Sequence, residues 1–140
     1  MSQEDVSLVR HLYEVVPNML DADPSVVDRV LREYVDEHFE VQLPSEYPEG
    51  EQVHRGREGM DAMVATFREA WSEWRFLPER FLDAQDHVVV FVRVVAVGHE
   101  SGVPIELEAA HVWTIRNGRA RSMRVYRKRS AALEAVGLRE

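Results

Sequence analysis

Cysteine is absent from the 140 residues of this chain. Its absence excludes disulfide bonds, thiolate nucleophiles and cysteine-ligated metal sites. No apolar run approaches the ~20 residues that a membrane-spanning helix needs. Residues 1–5 are acidic, and they lack the basic start and apolar core of a signal peptide. We therefore expect a cytoplasmic protein without a membrane partner.

Positive charge is also scarce, because 17 Lys and Arg residues face 25 Asp and Glu residues, for a net charge of −8. This balance disfavours binding to nucleic acid. A basic stretch at residues 116–129 is best interpreted as a solvated sheet face opposite Glu106 and Glu108. The 6 histidines lack the spacing of a metal site, and no phosphate-binding loop or dinucleotide fingerprint occurs. We expect no nucleic-acid partner, no metal and no cofactor.

The chain has the composition of a single globular domain spanning residues 1–140. Hydrophobic residues make up 45% and charged residues 30% of the sequence, and the length allows a sizeable core. A helix over residues 6–16, which Pro17 ends, is predicted by an apolar stripe at helical spacing: Val6, Val9, Tyr13 and Val16. Asp23 and Pro24 predict the start of a second helix.

A third helix is predicted by one long apolar stripe near the middle of the chain. The stripe consists of Met60, Met63, Val64, Phe67, Trp71 and Trp74. A short strand over residues 39–43 precedes it, and an extended segment over residues 76–83 follows it. A short terminal helix is predicted over residues 130–136.

Three long antiparallel strands are predicted over residues 88–97, 104–116 and 119–129. Asn117 and Gly118 join the last two, and both residues accept the positive φ of a type I′ turn. Period-two alternation places one set of side chains of the second strand on the buried face: Leu107, Ala109, His111, Trp113 and Ile115. A histidine therefore lies in the middle of an apolar face.

The order of these elements favours an α+β fold. We expect a cone-shaped, curved antiparallel sheet wrapped around the N-terminal helices and the third helix. A cavity between the sheet and the helices is the default place for a ligand.

Several short motifs, taken in order, resemble the SnoaL-like group of the nuclear transport factor 2-like superfamily, with its ketosteroid isomerases, polyketide cyclases and limonene-epoxide hydrolases. The motifs are Tyr47, residues 54–59 (HRGREG), residues 101–104 (SGVP), residues 110–114 (AHVWT), Asn117-Gly118 and residues 132–138 (ALEAVGL). The resemblance implies a cone-shaped α+β fold, a homodimer and a pocket that performs cofactor-free acid–base chemistry in some members.

The catalytic aspartates of these relatives have no counterpart at the mapped positions. The general base of the isomerases maps to Leu43, the last-strand aspartate of cyclases and hydrolases to Val125, and a second hydrolase aspartate to Val95. None of these side chains can transfer a proton. The resemblance retains His111, at the position of an oxyanion hydrogen-bond donor, and Arg93, at the position of a hydrolase arginine.

We therefore predict a ligand site with His111 at its centre and Arg93 as a second polar group, an anchor for a carboxylate unless it faces outward. The predicted apolar residues of the site are Phe91, Trp113, Met63, Phe67, Met123, Val125 and Leu43. The leading function is binding of a small hydrophobic molecule. The alternatives are a cofactor-independent isomerase, cyclase or hydrolase acting on a hydrophobic carbonyl compound, with His111 as the candidate catalytic residue, and a structural dimerisation module.

A homodimer is expected through the outer face of the sheet. If Phe91 and Arg93 point inward, the row formed by Val88, Val90, Val92 and Val94 points outward and needs to be covered.

Overall fold

The computed structural model describes residues 2–44 and 52–138, and the motif residue Tyr47 lies outside these ranges. The elements follow in the order α1 (Ser2–Val15), α2 (Pro24–Tyr34), β1 (Val35–Leu43), β2 (Gln52–Arg55), α3 (Gly56–Ala70), β3 (Trp71–Ala84), β4 (His87–Gly98), β5 (Pro104–Arg116), β6 (Arg119–Tyr126) and α4 (Arg129–Ala135).

The start of α2 is confirmed. Asp23 caps the helix by accepting a hydrogen bond from the backbone N–H of Ser25 at 2.8 Å, and Pro24 occupies the first helical position. The predicted third helix is too long, because α3 ends at Ala70, and Trp71 and Trp74 belong to β3. Both tryptophans still pack on the core, so the apolar stripe continues across the change from helix to strand.

The six strands form one sheet in the order β2-β1-β6-β5-β4-β3. β1 and β6 are parallel, and every other neighbouring pair in this sheet is antiparallel. Register shifts interrupt the pairing of β3 with β4 and of β5 with β6. Such bulges bend long strands, so the sheet is curved and remains open. The helices α1, α2 and α3 pack on its concave face, and the α+β prediction is confirmed.

The predicted hairpin between β5 and β6 is also confirmed. Asn117 and Gly118 have φ values of 54° and 74°, as a type I′ turn requires. The alternation of β5 follows the prediction: His111 and Trp113 lie on the concave face, whereas Ala110 and Val112 lie on the outer face with α4.

The predicted orientation of β4 is wrong. Val90 lies opposite His111 in the register, and directly paired residues share a face of the sheet. The Val88, Val90, Val92 and Val94 row therefore points into the core, and Phe91 lies on the outer face with α4. β4 is apolar on both faces, so its own alternation carries no information about direction. Only its pairing with β5 determines the orientation.

The correction removes one observation behind the dimer prediction, namely the outward valine row. The outer face carries a second apolar cluster that includes Val89, Phe91, Ala110 and Val112. Within the same chain, Ala132 and Leu133 of α4 pack against this cluster. No helix in the described ranges is long and apolar enough to cross a membrane.

Candidate functional site

An apolar cavity of about 180 Å³ lies between the concave face of the sheet and the three helices. α1, α2 and α3 form one side of it, and β1, β3, β5 and β6 form the other. Its lining comprises Leu12, Tyr13, Val16, Met19, Ala22, Val27, Val30, Leu31, Val35, Phe39, Val41, Met60, Asp61, Met63, Val64, Phe76, His111, Trp113 and Met123.

His111 lies on the side of the cavity that the sheet forms. β5 directs it inward between its paired neighbours Val90 on β4 and Val125 on β6. The side chain is only 2% exposed, and burial lowers the pKa of the imidazole to about 3. The physical cause is desolvation, because a low-dielectric surrounding disfavours the charged imidazolium. His111 is therefore neutral at physiological pH.

Tyr13 links His111 to Trp113. The Tyr13 Oη lies 2.5 Å from the His111 Nδ1, and the Trp113 indole Nε1–H donates a hydrogen bond to the same Oη at 3.0 Å. Burial raises the pKa of the Tyr13 hydroxyl far above its usual value, so the group stays protonated. The three side chains form one buried polar chain on an otherwise apolar wall.

Aromatic rings surround this chain. The Tyr13 ring stacks with the His111 ring at a centroid distance of 5.9 Å, and Phe76 approaches His111 edge-on at 5.4 Å. Phe39 stacks with Trp113 at 6.1 Å. Since these rings are fixed by packing, the imidazole is held in one orientation.

The mouth of the cavity carries charge. Asp61 of α3 belongs to the lining, although its side chain is 64% exposed. Arg57 forms an ion pair with Asp61 at 3.1 Å and a second ion pair with Asp28 of α2. These two ion pairs hold the pKa of the Arg57 guanidinium above its usual value. The arginine thus connects α2 to α3 beside the cavity.

The structure brings together part of the predicted site. His111, Trp113, Met63 and Met123 line the cavity. Phe67, Leu43 and Val125 are buried in the same core without lining it. Leu43 and Val125 are the positions to which the acids of the relatives map, so apolar packing occupies them here.

The prediction that Phe91 and Arg93 belong to the ligand site is wrong, because both side chains lie on the outer face of the sheet. Phe91 packs with α4, and Arg93 forms ion pairs with Glu79 at 3.1 Å, Glu106 at 3.2 Å and Glu108 at 3.6 Å. The glutamates raise the pKa of Arg93 and neutralise its charge outside the cavity. Val95, opposite Glu106 in the register, shares that face.

Two polar lining residues were not identified from the sequence. Tyr13 was assigned to the apolar stripe of α1, but its hydroxyl is the partner of His111. Asp61 directly follows Met60 on α3, but other charged residues of this helix also flank the apolar stripe, so the sequence does not single out Asp61 as a lining residue. Within residues 2–44 and 52–138, no group of three or more His, Asp or Glu side chains is arranged to hold a metal ion.

Comparison with solved structures shows the same fold in several proteins. A nuclear transport factor 2-like protein of unknown function from Burkholderia pseudomallei is 21% identical, with a TM-score of 0.73 over 97% of this chain and 98% of that chain. TerC co-crystallised with polyporic acid is 20% identical, with a TM-score of 0.73 over 96% of this chain and 98% of that chain.

A third structure is that of a protein with a ketosteroid isomerase-like fold from Catenulispora acidiphila, in complex with trimethylamine. It is 15% identical, with a TM-score of 0.67 over 99% of this chain and 96% of that chain. At these identities the likeness shows the fold alone. No curated protein matches the chain. The sequence profile of the SnoaL-like domain matches residues 9–123, which is most of the chain. The chain therefore belongs to the SnoaL-like domain family.

Proposed function

We propose that this protein binds a small hydrophobic molecule in the cavity between the sheet and the helices, with His111 as the polar contact. The observation that carries the proposal is a buried imidazole on the wall of an apolar cavity. Ligand sites typically combine apolar walls with a few polar groups that fix orientation. The nearby ion pairs of Arg57 lie at the mouth, where water screens them.

The volume limits the size of the ligand. An apolar protein cavity of about 150 Å³ accommodates benzene, and this cavity measures about 180 Å³. A single ring with a short substituent matches that space. A four-ring steroid exceeds it.

Two structural neighbours support a role in binding small molecules, because one was co-crystallised with polyporic acid and another is in complex with trimethylamine. These ligands belong to those proteins. For this chain they indicate that the fold accommodates organic molecules of differing polarity.

Acetophenone is a suitable probe, because it combines one ring with one carbonyl oxygen. Binding is measured by titration calorimetry on the wild type, on Val64→Phe and on Ala65→Phe. Val64 lines the cavity, so a phenyl ring there fills the space and should abolish binding. The neighbouring Ala65 is exposed, so the same substitution should leave binding unchanged. Equal binding by the three proteins would contradict the cavity as the site.

Cofactor-independent catalysis is the second candidate function. One observation favours it: Asp61 lines the same cavity as His111. In such an enzyme Asp61 would move a proton, while His111 would stabilise a developing oxyanion. Neither steroid isomerisation nor epoxide hydrolysis is expected, because Leu43 and Val125 replace the mapped acids. Turnover of a cyclic ketone that Asp61→Asn abolishes and Glu58→Gln retains would favour catalysis over binding.

Homodimerisation and a cytoplasmic location stay predictions. Sedimentation at tens of micromolar, a range appropriate to interfaces of ordinary size, tests the dimer. A monomer at that concentration would contradict it.

A further inference from the structure

The buried polar chain has a direction, because one of its members can only donate. The Trp113 indole Nε1–H is a donor without acceptor capacity. Its hydrogen bond to Tyr13 at 3.0 Å therefore uses a lone pair of the Tyr13 Oη. The hydroxyl carries a single hydrogen, and the His111 Nδ1 lies 2.5 Å from it. The Tyr13 hydroxyl consequently donates to Nδ1.

A donor at Nδ1 determines where the imidazole carries its proton. In a neutral imidazole one ring nitrogen accepts and the other carries hydrogen. With Nδ1 of His111 accepting from Tyr13, the hydrogen resides on Nε2. The opposite tautomer would place two N–H donors, from His111 and Trp113, on one oxygen and would leave the Tyr13 hydroxyl hydrogen without its acceptor.

The second nitrogen faces the cavity. The His111 Nε2 makes no hydrogen bond to any residue in the described ranges, in which every fully buried side-chain nitrogen or oxygen has a partner. Nε2 is therefore not fully buried, and His111 belongs to the cavity lining. An N–H on an apolar wall gains most from a ligand atom that accepts a hydrogen bond.

We propose that Tyr13, itself held by Trp113, is a positioning residue that keeps His111 in the Nε2–H tautomer, so that the site selects ligands with a hydrogen-bond acceptor. The acceptor is a carbonyl oxygen or an oxyanion on a single-ring molecule. The preferred tautomer is a property of the ligand-free protein and does not depend on the proposed binding function. The ligand class does rest on that function. In this state His111 donates to a ligand oxygen and cannot accept a proton at Nε2.

The tautomer is tested first, by nitrogen-15 NMR of the histidine rings in the ligand-free protein, with His111 assigned by its loss in His111→Gln. We expect Nδ1 of His111 to show the shift of an unprotonated nitrogen and Nε2 that of a protonated one. Tyr13→Phe should populate both tautomers, and Tyr126→Phe, which makes the same change on the outer face, should not. A protonated Nδ1 in the wild type would overturn the proposal, even if Tyr13→Phe fails to fold.

Trp113→Phe provides a second variant, because it removes the donor that directs the Tyr13 hydroxyl. A freed hydroxyl can donate to or accept from the imidazole, so both tautomers should again appear. A pure Nε2–H tautomer that persists in both Tyr13→Phe and Trp113→Phe would refute the positioning role.

Ligand selectivity is tested with two molecules of the same shape, acetophenone and α-methylstyrene, which differ in a carbonyl oxygen and a methylene group. The wild type should bind acetophenone roughly 2- to 13-fold more tightly, the ratio that one net hydrogen bond gives. Equal affinities would refute selection of an acceptor. If neither molecule binds, the proposed binding function and the ligand class fail together, while the NMR result still decides the tautomer.

Discussion

Replacement of His111 by glutamine should remove a specific part of the acid sensitivity of this protein. The imidazole has a folded-state pKa of about 3, against 6.5 for a free histidine. Since the folded pKa is the lower one, the unfolded state binds the proton first as the pH falls. The stability contributed by neutral His111 is complete above pH 6.5 and is lost progressively between pH 6.5 and pH 3.

The magnitude follows from the two pKa values. Each pH unit between them costs about 1.4 kcal/mol of unfolding free energy. Between pH 7 and pH 5 the loss due to His111 is therefore about 2 kcal/mol. Glutamine does not titrate, and its amide oxygen can still accept a hydrogen bond from Tyr13.

Urea denaturation of the wild type and of His111→Gln at pH 7 and pH 5 measures the effect. Titration of all other groups is common to both proteins, so the wild type should lose about 2 kcal/mol more than the variant. His38→Gln is the matched control, because the side chain of His38 is 74% exposed. Parallel losses in the wild type and in His111→Gln would refute a buried, neutral imidazole.

Three further substitutions test other parts of the fold. Phe67→Ala should cost about 3–5 kcal/mol in urea denaturation, because Phe67 is fully buried and meets Trp74 edge-on at 4.9 Å; a loss below 1 kcal/mol would contradict its core position. Gly118→Ala should cost about 1 kcal/mol through backbone strain, because its φ is 74° and a Cβ there meets no atom; unchanged stability would refute the type I′ turn. Arg129→Ala should speed amide exchange in α4 and leave acetophenone binding unchanged, because Arg129 bonds to Glu79 at 2.6 Å on the outer face; unchanged exchange would contradict this anchor.

Much of the fold could be predicted from the sequence, because its local signals are strong. Asn117-Gly118 specifies a turn by backbone conformation, and Asp23-Pro24 specifies a helix start by capping. The alternation of β5 placed His111 and Trp113 on the concave face. β4 gave no such signal, since its apolar side chains on both faces are buried. The directions of Phe91 and Arg93 depend on pairing with β5, a non-local property that one strand cannot reveal.

The site was harder to predict than the fold because its chemistry depends on side chains far apart in the chain. His111 and Tyr13 are separated by most of the sequence, and only their hydrogen bond shows that the hydroxyl of Tyr13 acts as a polar group rather than as part of an apolar stripe. Predicting Asp61 as a lining residue would have required knowing where the cavity opens. Alternation identifies a buried face, but it does not identify the partner across the cavity.

The distribution of polar groups between the two faces of the sheet favours recognition over catalysis. On the outer face, Arg93 is neutralised by glutamates, so it has no charge to offer the cavity. On the concave face, Leu43 and Val125 occupy the positions of the relatives' acids and pack into the core. Among the described residues, the buried polar side chains that line the cavity are Trp113, Tyr13 and His111, and together they supply a hydrogen-bond donor and no base. In the proposed site this wall would orient an acceptor-bearing ligand, and proton abstraction would have to come from Asp61 at the mouth.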